Sequence, residues 1–138
     1  MIVEHVLQVA GLDVWFTEQL NGLQCSPETR AYVVSVLKAQ GHPLDGAVFA
    51  GRNSSVIIAY QEAVVKNDFA AYQRIGDWVL WVDAMCPDSL RGKHEVVENF
   101  GRLAYYSCHR ILRGQWHIYE ELADNLPVIA RRVRSKLI

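Results

Sequence analysis

The segment from Lys93 to Arg113 does most to limit what this chain can become. Val96, Val97, Phe100, Leu103, Ala104, Ser107, Cys108 and Ile111 recur three or four residues apart, with no proline and only Gly101 as an inner breaker. An α-helix turns 100° per residue, so this spacing collects them on one arc, whereas the period of two of a strand would divide them between two faces. A helix with one apolar side must bury that side on other elements.

The rest of the chain offers helices as those elements. Val6, Val9 or Ala10, Phe16 and Leu20 keep helical phase from Ile2 to Leu20, with Asp13 as a polar interruption, until Asn21-Gly22 ends the run. Ser26-Pro27-Glu28-Thr29 opens a second helix with a cap, a proline in the first turn and an acid near the positive end of the dipole. It continues to Gln40 and stops at Gly41-His42-Pro43. Residues 47–60 admit two readings. A small β-hairpin around Gly51-Arg52-Asn53-Ser54 is one; a helix capped by Ser54 or Ser55 and reaching Lys66 is the favoured one. Asn67-Asp68 starts a helix running to Met85, Pro87-Asp88-Ser89 breaks it, and Gly114 separates the Lys93–Arg113 helix from a last one. In that last segment Ile118, Leu122, Leu126, Ile129 and Val133 stay in phase, while Pro127 predicts a kink or short break near Asp124-Asn125. The expectation is an all-α fold: one compact domain over residues 1–138, a bundle of five to seven helices with short loops.

Composition agrees. With 138 residues, 51% hydrophobic and 21% charged, the chain can bury about two-thirds of its surface without staples. A net charge of -1 provides no global field for nucleic acid. No apolar run approaches the roughly 20 residues of a membrane span. Three widely spaced cysteines, Cys25, Cys86 and Cys108, do not make an even disulfide framework, and Met1-Ile2-Val3-Glu4 lacks the basic start of a signal peptide. The expected location is the cytoplasm. Charge is unevenly placed, with no Lys or Arg before Arg30 and four cations, Arg131, Arg132, Arg134 and Lys136, near the end. Cations in the last turns of a helix complement its dipole and stay solvated, which is the favoured reading; docking on the acidic start is the other.

Motifs that carry chemistry are sparse. There is no glycine-rich phosphate loop, nucleophile elbow, CxxC or HExxH. His94 and Glu98 are four apart, as are His117 and Glu121, so each pair shares a helix face and could offer a divalent cation a nitrogen and an oxygen. Antiparallel packing would put the two pairs at opposite ends of the bundle, and no metal or other cofactor is expected. On the helical wheel His94, Glu98, Arg102, Tyr105 and His109 form a polar stripe opposite Val97, Phe100 and Leu103, either solvated or lining a groove. Asp83 sits at the edge of its helix's apolar face, where a carboxylate must find a partner or raise its pKa; it is the candidate base or anchor, with His109 as a second catalytic candidate. Trp81 falls among Gln73, Arg74 and Asp77, a large aromatic on a nominally polar face. Cys108 and His109 are neighbours, so they point about 100° apart and do not form a dyad.

The reading that follows is a non-enzymatic α-helical protein–protein interaction or regulatory module that self-associates. Its contact candidates are Trp81, Arg102, Tyr105, His109, Arg131 and Arg134. The alternative is a small-ligand-binding or metal-assisted enzyme with a pocket between helices. Nucleic acid is not an expected partner, since the helix from Ser26 to Gln40 carries only Arg30, Lys38 and Gln40 for base or phosphate contact.

Overall fold

A computed structural model describes residues 14–40, 53–90 and 92–137. Within them lie α1 (14–19), α2 (Pro27–Gln40), α3 (Asn53–Lys66), α4 (Phe69–Met85), a 3₁₀ turn (Pro87–Leu90), α5 (His94–Ile111) and α6 (His117–Leu137). The protein is an all-α bundle, with no strand among the described residues. Residues 53–60 are helical, so a hairpin over 47–60 loses its second half; 47–52 lie outside the described residues, as do residues 1–13 of the first predicted helix.

The boundaries follow local chemistry. Ser26 caps α2, its Oγ accepting from the Thr29 N–H at 3.2 Å and its carbonyl from Arg30 at 2.9 Å. Asp68 caps α4 through the Ala70 N–H at 3.1 Å. Behind α5 the chain turns through Arg113 and Gly114, both at positive φ, and the Gly114 N–H closes onto the His109 carbonyl.

α4 is the central element and packs on α2, α3, α5 and α6. Its apolar arc of Tyr72, Ile75, Val79 and Val82 is buried, and so are Trp78 and Leu80. The contact with α5 is set by two glycines used reciprocally. A Cβ on Gly76 of α4 would lie 2.6 Å from the Tyr105 ring of α5, and one on Gly101 of α5 would lie 2.6 Å from Val79 of α4. Each helix thus lacks a side chain where the other inserts one.

This seam fixes the rotation of α5 and corrects the expected face. The buried residues are Val97, Gly101, Ala104, Tyr105, Ser107 and Cys108, while Leu103 and Val96 are nearly half exposed. Small residues at 101, 104 and 108 let α4 approach closely, and dispersion attraction at that short range favours this face over the bulkier one. Tyr105, expected on the outer stripe, is fully buried.

Of the kink or short break expected near Asp124-Asn125, the break is absent, because α6 runs from His117 to Leu137 through Pro127. Proline at 127 cannot donate to the carbonyl of residue 123. Arg102 of α5 supplies the missing donor, its Nε reaching the Ala123 carbonyl at 2.8 Å. At the far end Arg132 donates to the Gln24 carbonyl at 3.1 Å, so the basic C-terminal turns meet backbone oxygen of the 20s segment. Glu4 and Asp13 lie outside the described residues.

The seam yields a test against helix propensity. Alanine improves on glycine in a helix by about 1 kcal/mol, yet here each methyl enters filled space, where overpacking costs about 1–3 kcal/mol. Gly101→Ala and Gly76→Ala are each expected to lower the urea midpoint; a rise in either would contradict the close approach.

Candidate functional site

Two clusters of titratable groups are enclosed by the bundle. The first lies under α2, on the row of α4 that reads as polar: Gln73, Asp77 and Trp81 at intervals of four. That row turns inward. Asp77 Oδ1 accepts from the Tyr32 hydroxyl at 2.6 Å and from the Tyr105 hydroxyl at 2.8 Å, joining α2, α4 and α5 at one oxygen. Gln73 donates to the Tyr119 hydroxyl of α6 at 2.8 Å, and the Tyr32 ring stands edge-on to those of Tyr105 and Tyr119. Trp81 continues the row as a half-buried side chain packed against the core.

Burial pushes the Asp77 carboxyl up to about 6, and the two tyrosine hydroxyls pull against that rise. Burial and then the Asp77 charge hold Tyr32 and Tyr105 well above the ordinary phenol range. Burial, followed by the same charge, lifts the Cys108 thiol to about 12. At neutral pH the phenols and the thiol keep their protons. The cluster can therefore bind a proton and tie helices together, but it holds no activated nucleophile. Sequence reasoning did not single out Asp77; the one signal was its spacing of four from Gln73 and Trp81.

The second cluster closes the end where α4 stops, α5 starts and α6 finishes. Asp83 is 2% exposed. Its Oδ1 lies 3.8 Å from the Arg134 guanidinium, and its Oδ2 is buried with no hydrogen-bond partner. Arg134 also donates to the Ala84 carbonyl at 3.4 Å and to the Asp83 carbonyl, so one cation caps the last turn of α4. The Glu98 carboxyl sits beside Asp83. Burial and then Glu98 push Asp83 up to about 7, against Arg134 and Arg131. Asp83 thus has both a partner and a raised pKa, and Glu98, Arg131 and Arg134, singled out separately in the sequence, converge on it.

The other candidates go elsewhere. His117 and Glu121 both face the start of α2. Glu121 Oε1 accepts from the Ser26 N–H at 3.0 Å and lies 3.2 Å from its Oγ, and His117 Nε2 is 3.2 Å from Ser26 Oγ. Glu28 approaches that same nitrogen at 3.6 Å. A serine–histidine–acid relay needs the acid on the other ring nitrogen, and Ser26 Oγ is already engaged as the α2 cap. His94 is half-buried at the first residue of α5. Among the described residues no three His, Cys, Asp or Glu side chains stand close enough to hold a metal ion. His109 lies 3.6 Å from Glu120 through Nε2, with Nδ1 buried and unpartnered. Arg102 is occupied by the Ala123 carbonyl, and Arg131 is exposed. No described helix is long and apolar enough to cross a membrane.

Comparisons with protein-family models, curated proteins and solved structures found no match.

Both raised carboxyls give stability a defined pH dependence. Folded Asp77 and Asp83 titrate near 6 and 7, above the 3.8 of an unperturbed aspartate, so over that window the native state holds protons the unfolded chain has lost. Their contribution is fully present below the unperturbed 3.8 and is lost as pH rises from there through 7. In urea melts at pH 5 and pH 8, Asp83→Asn should shrink the wild-type loss of stability between the two; an unchanged or larger loss would contradict the assignment.

Proposed function

We propose that this protein is a non-enzymatic helical interaction module, self-associating, and that its contact surface is the outer flank of α5 with the adjoining edge of α3. One observation carries the reading: large apolar side chains stand exposed in line on this flank. Val96 is 48% and Leu103 46% exposed, and half-buried Phe100 lies between them on the same side of α5. Phe100 packs edge-on against Tyr60 of α3, and Val64, one turn further along α3, is 50% exposed. Single exposed apolar residues are ordinary, but a row of them across two packed helices is the pattern of a contact surface.

Of the residues that the sequence suggested for contact, Tyr105 is fully buried, while Arg102 and Trp81 are half-buried. The surface proposed in their place consists of residues whose periodicity predicted core. We assign the protein to the cytoplasm, on three cysteines that are all unpaired thiols.

A second reading, a small-ligand binder or enzyme, rests on the buried, unpartnered oxygen of Asp83 beside Glu98. A polar group so placed costs stability unless something offsets it, and a cationic ligand would do so.

Sedimentation velocity from low to high micromolar concentration tests the first reading. The wild type should associate reversibly. Leu103→Glu should weaken association by more than about tenfold, with helicity unchanged, since the residue is exposed in the monomer. A wild type that stays monomeric throughout would overturn the proposal.

A further inference from the structure

The exposed side of α5 carries more order than apolar character alone. Val96, Asn99, Leu103, Tyr106 and Arg110 are all exposed and are spaced three, four, three and four apart. That is the a and d spacing of a heptad repeat, the row along which two helices meet with knobs in holes. The Tyr106 hydroxyl is hydrogen-bonded to Asp124 of α6, which holds that ring in place at the surface. The row is short, but α5 is already folded and held by the bundle, so pairing carries no cost of helix formation.

Charge decides the direction of pairing. The first turn of α5 carries Glu95 and the last turn carries Arg110, and both are exposed. Among the described residues neither makes an ion pair within the chain. They stand about 22 Å apart along the helix at 1.5 Å per residue. A parallel partner would set Glu95 on Glu95 and Arg110 on Arg110. An antiparallel copy sets unlike charges together at both ends, and it opposes the helix dipoles as well.

We infer, resting on the interaction reading above, that α5 pairs antiparallel with α5 of a second copy along this row, Glu95 of each copy meeting Arg110 of the other. The two-fold axis passes between the two helices at the height of residue 101, on the side of α5 away from α4. Val96 then packs on Tyr106 of the other copy, Asn99 on Leu103, and Arg110 lies within about one turn of Glu95.

Charge reversal separates this arrangement from every other. Glu95→Arg alone and Arg110→Glu alone each place like charges at both ends of the dimer, and each should weaken association about tenfold in sedimentation velocity at low salt. The double variant Glu95→Arg/Arg110→Glu restores unlike pairs and should return to within about twofold of wild type. Its helix carries both reversed charges at the wrong ends of the dipole, so the recovery cannot come from a more stable helix. Single variants without effect, or a double variant weaker than either, would overturn the antiparallel pairing. If Leu103→Glu abolishes association while the reversals change nothing, only the pairing geometry falls. If the wild type does not associate, both readings fall together.

Discussion

Everything in the bundle is referred to the close approach of α4 and α5, where Gly76 faces the Tyr105 ring and Gly101 faces Val79. Because each helix has a glycine where the other inserts a side chain, the two pack at a distance that no larger residue at 76 or 101 would permit. The contact is directional as well as close. It turns Tyr105 inward so that its hydroxyl reaches Asp77, and it turns Val96 and Leu103 outward by the same rotation. Core, buried polar cluster and exposed flank are consequences of one packing choice.

That choice leaves polar groups inside the bundle, and several are satisfied from a different helix. Asp77 receives Tyr32 and Tyr105, Tyr119 receives Gln73, the Ala123 carbonyl left open by Pro127 receives Arg102, and the end of α4 receives Arg134. Buried hydrogen bonds of this kind contribute modestly when made and cost more when left unmade. They therefore act less as a source of stability than as a selector among packings, since a rotated α5 would orphan several of them at once. Asp83 Oδ2, His109 Nδ1 and Arg30 Nε are exceptions, and at the Asp83–Glu98 end a carboxyl oxygen stays unpaired unless a proton or a ligand reaches it.

Most of the helices were legible in the sequence because their signals are local. The caps at Ser26 and Asp68, the stop after Met85 and the phase of the α4 arc depend on neighbours within a few residues. The rotation of α5 was not legible, because a hydrophobic wheel rewards Leu103 and Val96 and assigns Gly101 nothing, while close packing rewards the glycine. Asp77 escaped for a related reason. Its spacing from Gln73 and Trp81 reads as a solvated face, and only α2, lying across that face with Tyr32, makes it interior. Asp83 was visible since a carboxylate beside Val82 conflicts with its own surroundings. Its convergence with Glu98 and Arg134, from positions far apart in sequence, needed the fold. Pro127 predicts a kink or short break from local chemistry alone, and a distant arginine satisfies the carbonyl that the proline leaves open.

Tyr105 and Tyr106 are adjacent, identical in chemistry and about 100° apart around α5, the first fully buried and the second 40% exposed. Hydroxyl-radical footprinting of the dilute protein, with the two residues resolved by fragmentation, therefore measures the rotation of this helix directly. Rapid oxidation of Tyr106 with Tyr105 protected until the protein unfolds is the predicted result. Equal oxidation of the two, or faster oxidation of Tyr105, would mean that α5 faces the other way, and the glycine seam, the Asp77 cluster and the proposed contact surface would fall with it.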